Sequence, residues 1–260
     1  VTYCPLCNSA VAFDRRVDGE VLDFGTSGSL YRSALVMYDR QTESLWTQFD
    51  GQAVIGTLMG EELEQLTVST VSWSDVRADH PDASVLSRDT GYDRPYGESR
   101  YGGIDSRDTP LTGWFTEEVD DRHASYDRLV GIDVGGRPLA VMHALVSAAG
   151  VVSAEVEGRP VTVWHQPGTA SPINDRQVAG GDDIGATGAF FSDADDAPGG
   201  TLTFTRTDQG FVDDQTGSGW NILGEATSGP LTGTVLEPIP HLDTFWFAWS
   251  TEHPEGTVLG

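Results

Sequence analysis

Short apolar runs separated by turn residues fill the first part of the chain. Each run is too short for a helix and is rich in β-branched or aromatic residues, which is typical of β-strands. Between the runs, Asp18-Gly19 and Asp50-Gly51 are typical of tight hairpin turns. The runs cover residues 11–13, 21–24, 34–38, 45–49 and 53–55. This pattern predicts antiparallel β structure.

Helices are expected to be few and short. Residues 73–79 have mixed polarity and stop before His80-Pro81, so a short helix ended by proline is predicted there. Later in the chain we expect a hairpin of 129–132 with 138–141 about Gly135-Gly136, a helix over 143–149 and a strand over 161–164. The predicted fold class is mainly β, an α+β fold with few short helices.

Residues 87–127 differ in character from their surroundings. The stretch 87–108 is a polar run of Arg, Asp, Gly and Tyr with almost no aliphatic residue, which predicts a long surface connection. Tyr92, Tyr96 and Tyr101 favour packing over disorder, because disordered segments are poor in aromatic residues. They are candidates to line a cleft, where a protein partner would bind.

Three stretches of the chain recur in the same order. Residues 1–15 resemble 161–176, residues 39–46 resemble 213–220, and residues 73–86 resemble 246–259. We therefore predict two tandem pseudo-repeats of antiparallel β structure. The predicted segments are a first repeat over 1–86, a connection over 87–127 and a second repeat over 128–260.

The start of the first repeat has no counterpart to residues 130–160, which precede the second copy. Either the first repeat is truncated at its N-terminus, or residues 128–160 serve both copies. We expect the first. The tryptophans of the two copies also match, Trp46 with Trp220 and Trp73 with Trp246. Each of these tryptophans is therefore expected in the core of its own repeat.

The charge of the chain indicates the salt environment in which it folds and the partners that it does not favour. The chain has 40 acidic and 15 basic residues, a formal charge of −25, and all of the basic residues are Arg. Self-repulsion of this size destabilises a compact state in dilute salt and is screened in molar salt, where the Debye length is about 3 Å. We therefore expect a protein of a salt-loving organism, with nucleic acid and anionic membranes as poor partners. No apolar run reaches the roughly 18 residues of a membrane span.

Cys4 and Cys7 are the only cysteines, and their spacing suits a disulfide, a redox pair or half of a metal site. A bridge closing so short a loop stabilises by only roughly 2 kcal/mol, so a purely structural staple is a weak reason for the motif. Tetrahedral zinc requires two further ligands, which His must supply, and copper also accepts thiolate with imidazole. His165 is the preferred candidate, because the repeat aligns Trp164 or His165 with Cys4.

Other chemistry is weaker in the sequence. Asp39 and Asp213 match across the repeats and are either a carboxylate pair for acid and base work or, as we favour, caps of their turns. His80 and His253 are expected to be helix-end residues before proline. The stretch 193–196 resembles a calcium loop but lacks its acidic twelfth position. No catalytic residue and no cofactor-binding residue is predicted, and an enzyme is not favoured.

Several motifs together resemble the family called domain of unknown function 3179, common in haloarchaea and other prokaryotes. They are Val1 to Cys7, Leu35 to Arg40 with Leu45 to Gln48, Thr90-Gly91-Tyr92, Thr216 to Asn221 and Phe245 to Trp249. The resemblance runs nearly end to end, although Asn8 stands where the family usually has Gly. It implies a fold and an exported setting, but no reaction.

The resemblance thus implies an extracellular or cell-surface protein, and the distinctive site of the sequence is Cys4-x-x-Cys7. The leading hypothesis is a copper- or zinc-binding or interaction module with Cys4, Cys7 and His165 as metal ligands. A thiol/disulfide redox protein and a structural surface domain are the alternatives.

Overall fold

The computed structural model describes residues 1–110, 120–194 and 199–260. The chain is mainly β, as its alternating apolar runs predict, and the sheets are almost entirely antiparallel. Trp114 and the two acidic residues Asp195 and Asp196 of the calcium-like stretch lie outside the described residues.

The strands are short, as the spacing of the turn residues predicts. The first nine are β1 Thr2–Cys4, β2 Ser9–Phe13, β3 Arg16–Val17, β4 Glu20–Val21, β5 Phe24–Tyr31, β6 Ala34–Asp39, β7 Leu45–Thr47, β8 Ala53–Ile55 and β9 Gln65–Leu66. The others are β10 Arg128–Val134, β11 Arg137–Met142, β12 Val151–Val156, β13 Arg159–Gln166, β14 Ala186–Phe191, β15 Phe204–Thr207, β16 Gly210–Asp213, β17 Gly219–Trp220, β18 Ala226–Ser228, β19 His241–Phe245 and β20 Thr257–Leu259.

The described α-helices are α1 Trp73–Asp79, α2 His143–Ala149 and α3 Trp246–Glu252, and short 3-10 turns cover Ile104–Ser106 and Val178–Gly180. The Ser72 hydroxyl accepts a hydrogen bond from the Asp75 amide and so caps α1. Both α1 and α2 have the bounds that the sequence predicts. None of the described helices has the length and apolarity needed to cross a bilayer.

The chain divides into two compact units, and each unit is discontinuous in sequence. Unit 1 comprises residues 1–68, 108–144 and 239–260, and unit 2 comprises 69–107 and 145–238. The predicted division into 1–86, 87–127 and 128–260 is based on sequence repeats and stays a prediction, as do the tandem repeats themselves.

The described residues of unit 1 form four sheets. Their strand orders are β1-β2-β9, β3-β4, β5-β6-β7-β8 and β19-β10-β11-β20. The predicted hairpin about Gly135-Gly136 is formed by β10 and β11, with Val130 opposite Val141. Strand β20 pairs with β11 in parallel. A buried hydrophobic cluster beside the sheet β5-β6-β7-β8 includes Met37, Trp46 and Leu63.

Unit 2 contains the sheets β12-β13-β14 and β15-β16-β17-β18. Its core gathers Trp164, Phe190, Phe204, Phe211 and Trp220. The Trp164 ring stacks on Phe211 with 4.3 Å between centroids. Strand β14 is buried along its whole length, which explains why its run Ala186–Phe191 lacks the alternation of a half-exposed strand.

The matched tryptophans do not all lie in the core. Trp46 and Trp220 are fully buried, as predicted, but Trp73 is 51% exposed whereas Trp246 is 0% exposed. The prediction for Trp73 is therefore wrong. Helix α1 buries none of its residues, since its sequence is polar apart from Trp73, Val76 and Ala78, while α3 buries five consecutive positions. Tyr92, Tyr96 and Tyr101 are likewise exposed rather than packed.

Candidate functional site

The two cysteines lie at the turn of the hairpin formed by β1 and β2. Cys4 ends β1 opposite Ser9, and Cys7 lies in the turn that connects the strands. Asn8 has φ of 56°, a left-handed conformation that Asn and Gly adopt most readily.

Both cysteines are free thiols in the interior of unit 1. Cys4 is 2% exposed and Cys7 is 0% exposed. Strand β19 holds the turn in place, because the Thr244 hydroxyl donates to the Cys7 carbonyl at 2.7 Å and the Asn8 side-chain amide donates to the Asp243 carbonyl at 3.3 Å. The thiols are thus held on a fixed turn by a strand far away in sequence.

The two thiols differ in acidity. The side-chain interaction with the Cys7 thiol is the largest cause that lowers the pKa of Cys4, from 9.0 to about 7. Burial opposes this shift, while hydrogen bonds from the backbone at Cys7, Leu6 and Leu35 support it. Burial raises the pKa of Cys7 well above 9.0, and the interaction with Cys4 adds to that rise. Cys4 is therefore the thiol that ionises near neutral pH, beside a protonated Cys7.

A row of buried polar side chains continues from Cys7. Its sulfur lies 3.2 Å from the Ser9 hydroxyl, which donates to Gln48 Oε1 at 3.2 Å. Gln48 Nε2 then donates to the Ser9 carbonyl at 3.1 Å and to Thr2 Oγ1 at 3.2 Å. Ser9 and Gln48 are fully buried, so this network fixes the environment of the Cys7 sulfur.

Sequence reasoning did not identify Ser9 or Gln48 as site residues. A signal was present, since Gln48 closes the Leu45-Trp46-Thr47-Gln48 motif and Ser9 closely follows the Cys4-x-x-Cys7 motif. What the sequence lacks is the pairing of these two motifs in space, which arises only when the hairpin of residues 2–13 packs beside the end of β7.

His165 belongs to unit 2, whereas Cys4 and Cys7 belong to unit 1. It lies in β13, is nearly buried, and its Nε2 is 3.1 Å from the Ile184 carbonyl. Across the described parts of the chain, no group of three or more His, Cys, Asp or Glu side chains is arranged to hold a metal ion.

Asp39 and Asp213 cap two turns with nearly the same hydrogen bonds. Asp39 accepts from the Thr42 amide at 2.5 Å and from Trp46 Nε1 at 2.9 Å. Asp213 accepts from the Thr216 amide at 2.5 Å and from Trp220 Nε1 at 3.0 Å.

Burial raises the pKa of both carboxyl groups, but the hydrogen bonds, led by that of the tryptophan, outweigh it and leave both pKa values below 3.8. Each carboxylate is fully buried in its own unit. This geometry is that of the turn-capping interpretation.

The remaining candidates have structural partners. His80 and His253 are the C-caps of α1 and α3, as predicted, and their backbone amides donate to the carbonyls of Val76 and Trp249. Asp193, from the calcium-like stretch, forms an ion pair with Arg159 at 2.9 Å.

Comparison with known proteins gives one family. The family model described as "Protein of unknown function (DUF3179)" matches residues 1–256. No curated protein and no solved structure matches the chain. The function must therefore be argued from the site itself.

Proposed function

The chain belongs to the DUF3179 family, and from that premise we propose that Cys4 and Cys7 form a redox pair that is reversibly oxidised to an intramolecular disulfide. The observation that carries the proposal is the placement of two free thiols on one tight turn, Cys4 at the end of β1 and Cys7 in the turn that follows. The difference in acidity between the two thiols supports it. Cys4 ionises near neutral pH, while the adjacent Cys7 stays protonated. A nucleophilic thiolate beside a second, protonated thiol is the arrangement that thiol–disulfide exchange uses.

The reaction balances with a disulfide as the oxidant. The Cys4 thiolate attacks one sulfur of the incoming disulfide, which forms a mixed disulfide and releases one thiolate. Cys7 loses its proton to that thiolate or to solvent and attacks the Cys4 sulfur. The Cys4–Cys7 bond forms, the mixed disulfide breaks, and the second thiol leaves. Two protein thiols are oxidised and one disulfide is reduced to two thiols.

Burial decides which oxidants can react. Because Cys4 is 2% exposed and Cys7 is 0% exposed, a large protein surface does not reach the sulfurs in this conformation. Small disulfides and a locally opened turn are the routes that remain. An exported setting, which the family resemblance implies, fits the proposal, because disulfides persist in oxidising compartments.

Copper(I) binding by the two thiolates is a second candidate function. The observation that favours it is the presence of two sulfurs on one tight turn, since soft thiolates select Cu(I). It ranks second because, among the described residues, no group of three or more His, Cys, Asp or Glu side chains offers further ligands beside the two sulfurs. No comparable observation favours His165 as a further metal ligand, because its Nε2 lies at hydrogen-bond distance from the Ile184 carbonyl.

The test is exchange with a chromogenic small disulfide, 4,4′-dithiodipyridine, on the reduced chain. Wild-type protein should release two thiopyridone equivalents and lose the mass of two hydrogens. Cys7→Ser should stop at a mixed disulfide on Cys4, and Cys4→Ser, its matched control, should react far more slowly at neutral pH.

Equal rates for the two single variants would refute the assignment of Cys4 as the nucleophile. Two thiols that stay reduced under excess probe would leave a structural role for the cysteines. Elemental analysis of protein purified without oxygen distinguishes metal binding from the redox function. Copper or zinc that is bound in the wild type and absent from the double Cys→Ser variant would identify a metal site.

A further inference from the structure

A cavity in unit 1 is not used by the thiol chemistry. It has a volume of about 600 Å³, within the range of small-molecule sites. Its inner wall is apolar and is formed by Phe13, Phe24, Leu35, Met37 and Leu63. Met37 and Leu63 are core residues, so the wall is continuous with the hydrophobic interior. Such a wall can accept the flat apolar group of a small ligand.

The polar part of the cavity carries positive charge. Arg15 and Arg40 line it, and Asp23 is the only acidic residue among the described residues that do so. The whole chain has 40 acidic and 15 basic residues, so a local excess of arginine is opposite to its general charge. Guanidinium groups recognise carboxylates and similar oxyanions through paired hydrogen bonds.

Backbone and side-chain contacts hold the two arginines at the cavity. Arg15 contacts the Asp23 carboxylate and donates to the Leu22 carbonyl at 3.3 Å. The Arg40 amide donates to the Asp23 carbonyl at 2.8 Å, which ties the segment carrying Arg40 to the segment carrying Asp23.

The guanidinium of Arg40 differs from that of Arg15. Its Nη1 donates to the Tyr38 hydroxyl at 3.0 Å, and its central carbon lies 5.5 Å from the Tyr38 ring centre. Among the described residues no carboxylate lies within 4.0 Å of it, although the chain is crowded with carboxylates. One guanidinium is therefore left with donors for an external anion.

We propose that this cavity is a binding site for a small organic anion that has a flat apolar body and one carboxylate. The apolar body lies against Phe24, Leu35 and Met37, and the carboxylate lies at Arg40 with Arg15 beside it. The inference goes beyond the redox function and does not depend on it, since binding needs neither sulfur.

The test uses 2-naphthoate as the probe and isothermal titration calorimetry as the readout, on the full chain with both thiols reduced. The salt concentration is the lowest at which the near-ultraviolet circular dichroism spectrum shows an intact fold. We expect saturable binding of one equivalent. The neutral isostere 2-naphthamide should bind at least tenfold more weakly, because it lacks the charge that the guanidinium groups recognise.

Variants place the site. Arg40→Gln and Arg15→Gln together should weaken 2-naphthoate binding at least tenfold. Arg16→Gln is the matched control: Arg16 neighbours Arg15, is exposed, and does not line the cavity, so binding should stay within twofold of wild type. Thr26→Trp adds a bulky ring at an exposed position of the cavity wall and should block binding without removing a charge.

Three results would overturn the proposal: no saturable binding, equal affinity for naphthoate and naphthamide, or unchanged affinity in the double arginine variant. Each variant is checked for folding by the same circular dichroism spectrum, so a loss of binding is attributed only to folded protein. Failure of this test leaves the thiol exchange of the wild type unaffected, and failure of the exchange leaves naphthoate binding unaffected.

Discussion

Removal of the Cys7 thiol should change the acidity of Cys4 more than any other single substitution. The interaction with the Cys7 side chain is the largest cause of the lowered pKa of Cys4, and burial of Cys4 acts in the opposite direction. In Cys7→Ala the opposing effect of burial remains while the main stabilisation of the thiolate is lost. The pKa of Cys4 should therefore rise from about 7 towards 9.0 or higher.

The size of the effect follows from the shift. A pKa of about 7 leaves about half of Cys4 ionised at pH 7, whereas a pKa of 9.0 leaves about 1% ionised. The thiolate concentration at pH 7 should thus fall by roughly 50-fold in Cys7→Ala. Cys7→Ser is the matched variant, because its hydroxyl still donates a hydrogen bond, and its shift should be smaller.

The assay is a pH titration followed by the ultraviolet absorbance of the thiolate, which requires no access of a reagent to the buried sulfur. Wild-type protein should show one step near pH 7 and a second, higher step from Cys7. Cys4→Ser should remove the lower step. A Cys7→Ala protein that still titrates at the wild-type midpoint would show that Cys7 does not stabilise the Cys4 thiolate, and the asymmetry behind the redox proposal would be lost.

Three further predictions concern stability. Asp39→Asn and Asp213→Asn should each cost about 2–4 kcal/mol in urea unfolding, because each leaves buried donors poorly satisfied. A near-zero cost would contradict the capping role. Both carboxyl groups have pKa values lowered below 3.8, so the stability that they contribute is present above that pH and is lost as the pH falls. The free energy of unfolding of each variant should therefore decrease less at acid pH than that of the wild type. Gly131→Ala should destabilise by roughly 1–3 kcal/mol, because a Cβ there would lie 2.2 Å from the Trp249 ring, while Gly180→Ala, with no atom closer than 3.6 Å, should be nearly neutral in thermal unfolding. The wild-type melting temperature should rise from dilute to molar salt, and a flat response would contradict the expected salt adaptation.

Local patterns were sufficient for much of the secondary structure. The polar–apolar mixture before His80-Pro81 predicts α1 with its observed bounds, and the same holds for α2. The glycine pair at 135–136 predicts the hairpin of β10 and β11. These elements depend on residues close together in sequence, where turn chemistry and periodicity act directly.

The strands β12, β14 and β19 were not predicted. The fully buried β14 has no alternation that would distinguish it from a buried helical segment. Trp73 and Trp246 occupy matching sequence positions, yet only Trp246 is buried. Local sequence does not determine whether a helix has a partner surface, because burial depends on what packs against it.

The sequence by itself determined the mainly β class, the short helices, the family resemblance and the Cys4-x-x-Cys7 motif. Only the tertiary structure decided that β19 pairs with β10, that Gln48 lies beside the cysteine hairpin, and that His165 belongs to the other unit. The physical reason is the range of the forces involved. Turns and strand propensities act between neighbours, whereas pairing, burial and the acidity of Cys4 depend on contacts between segments far apart in the chain.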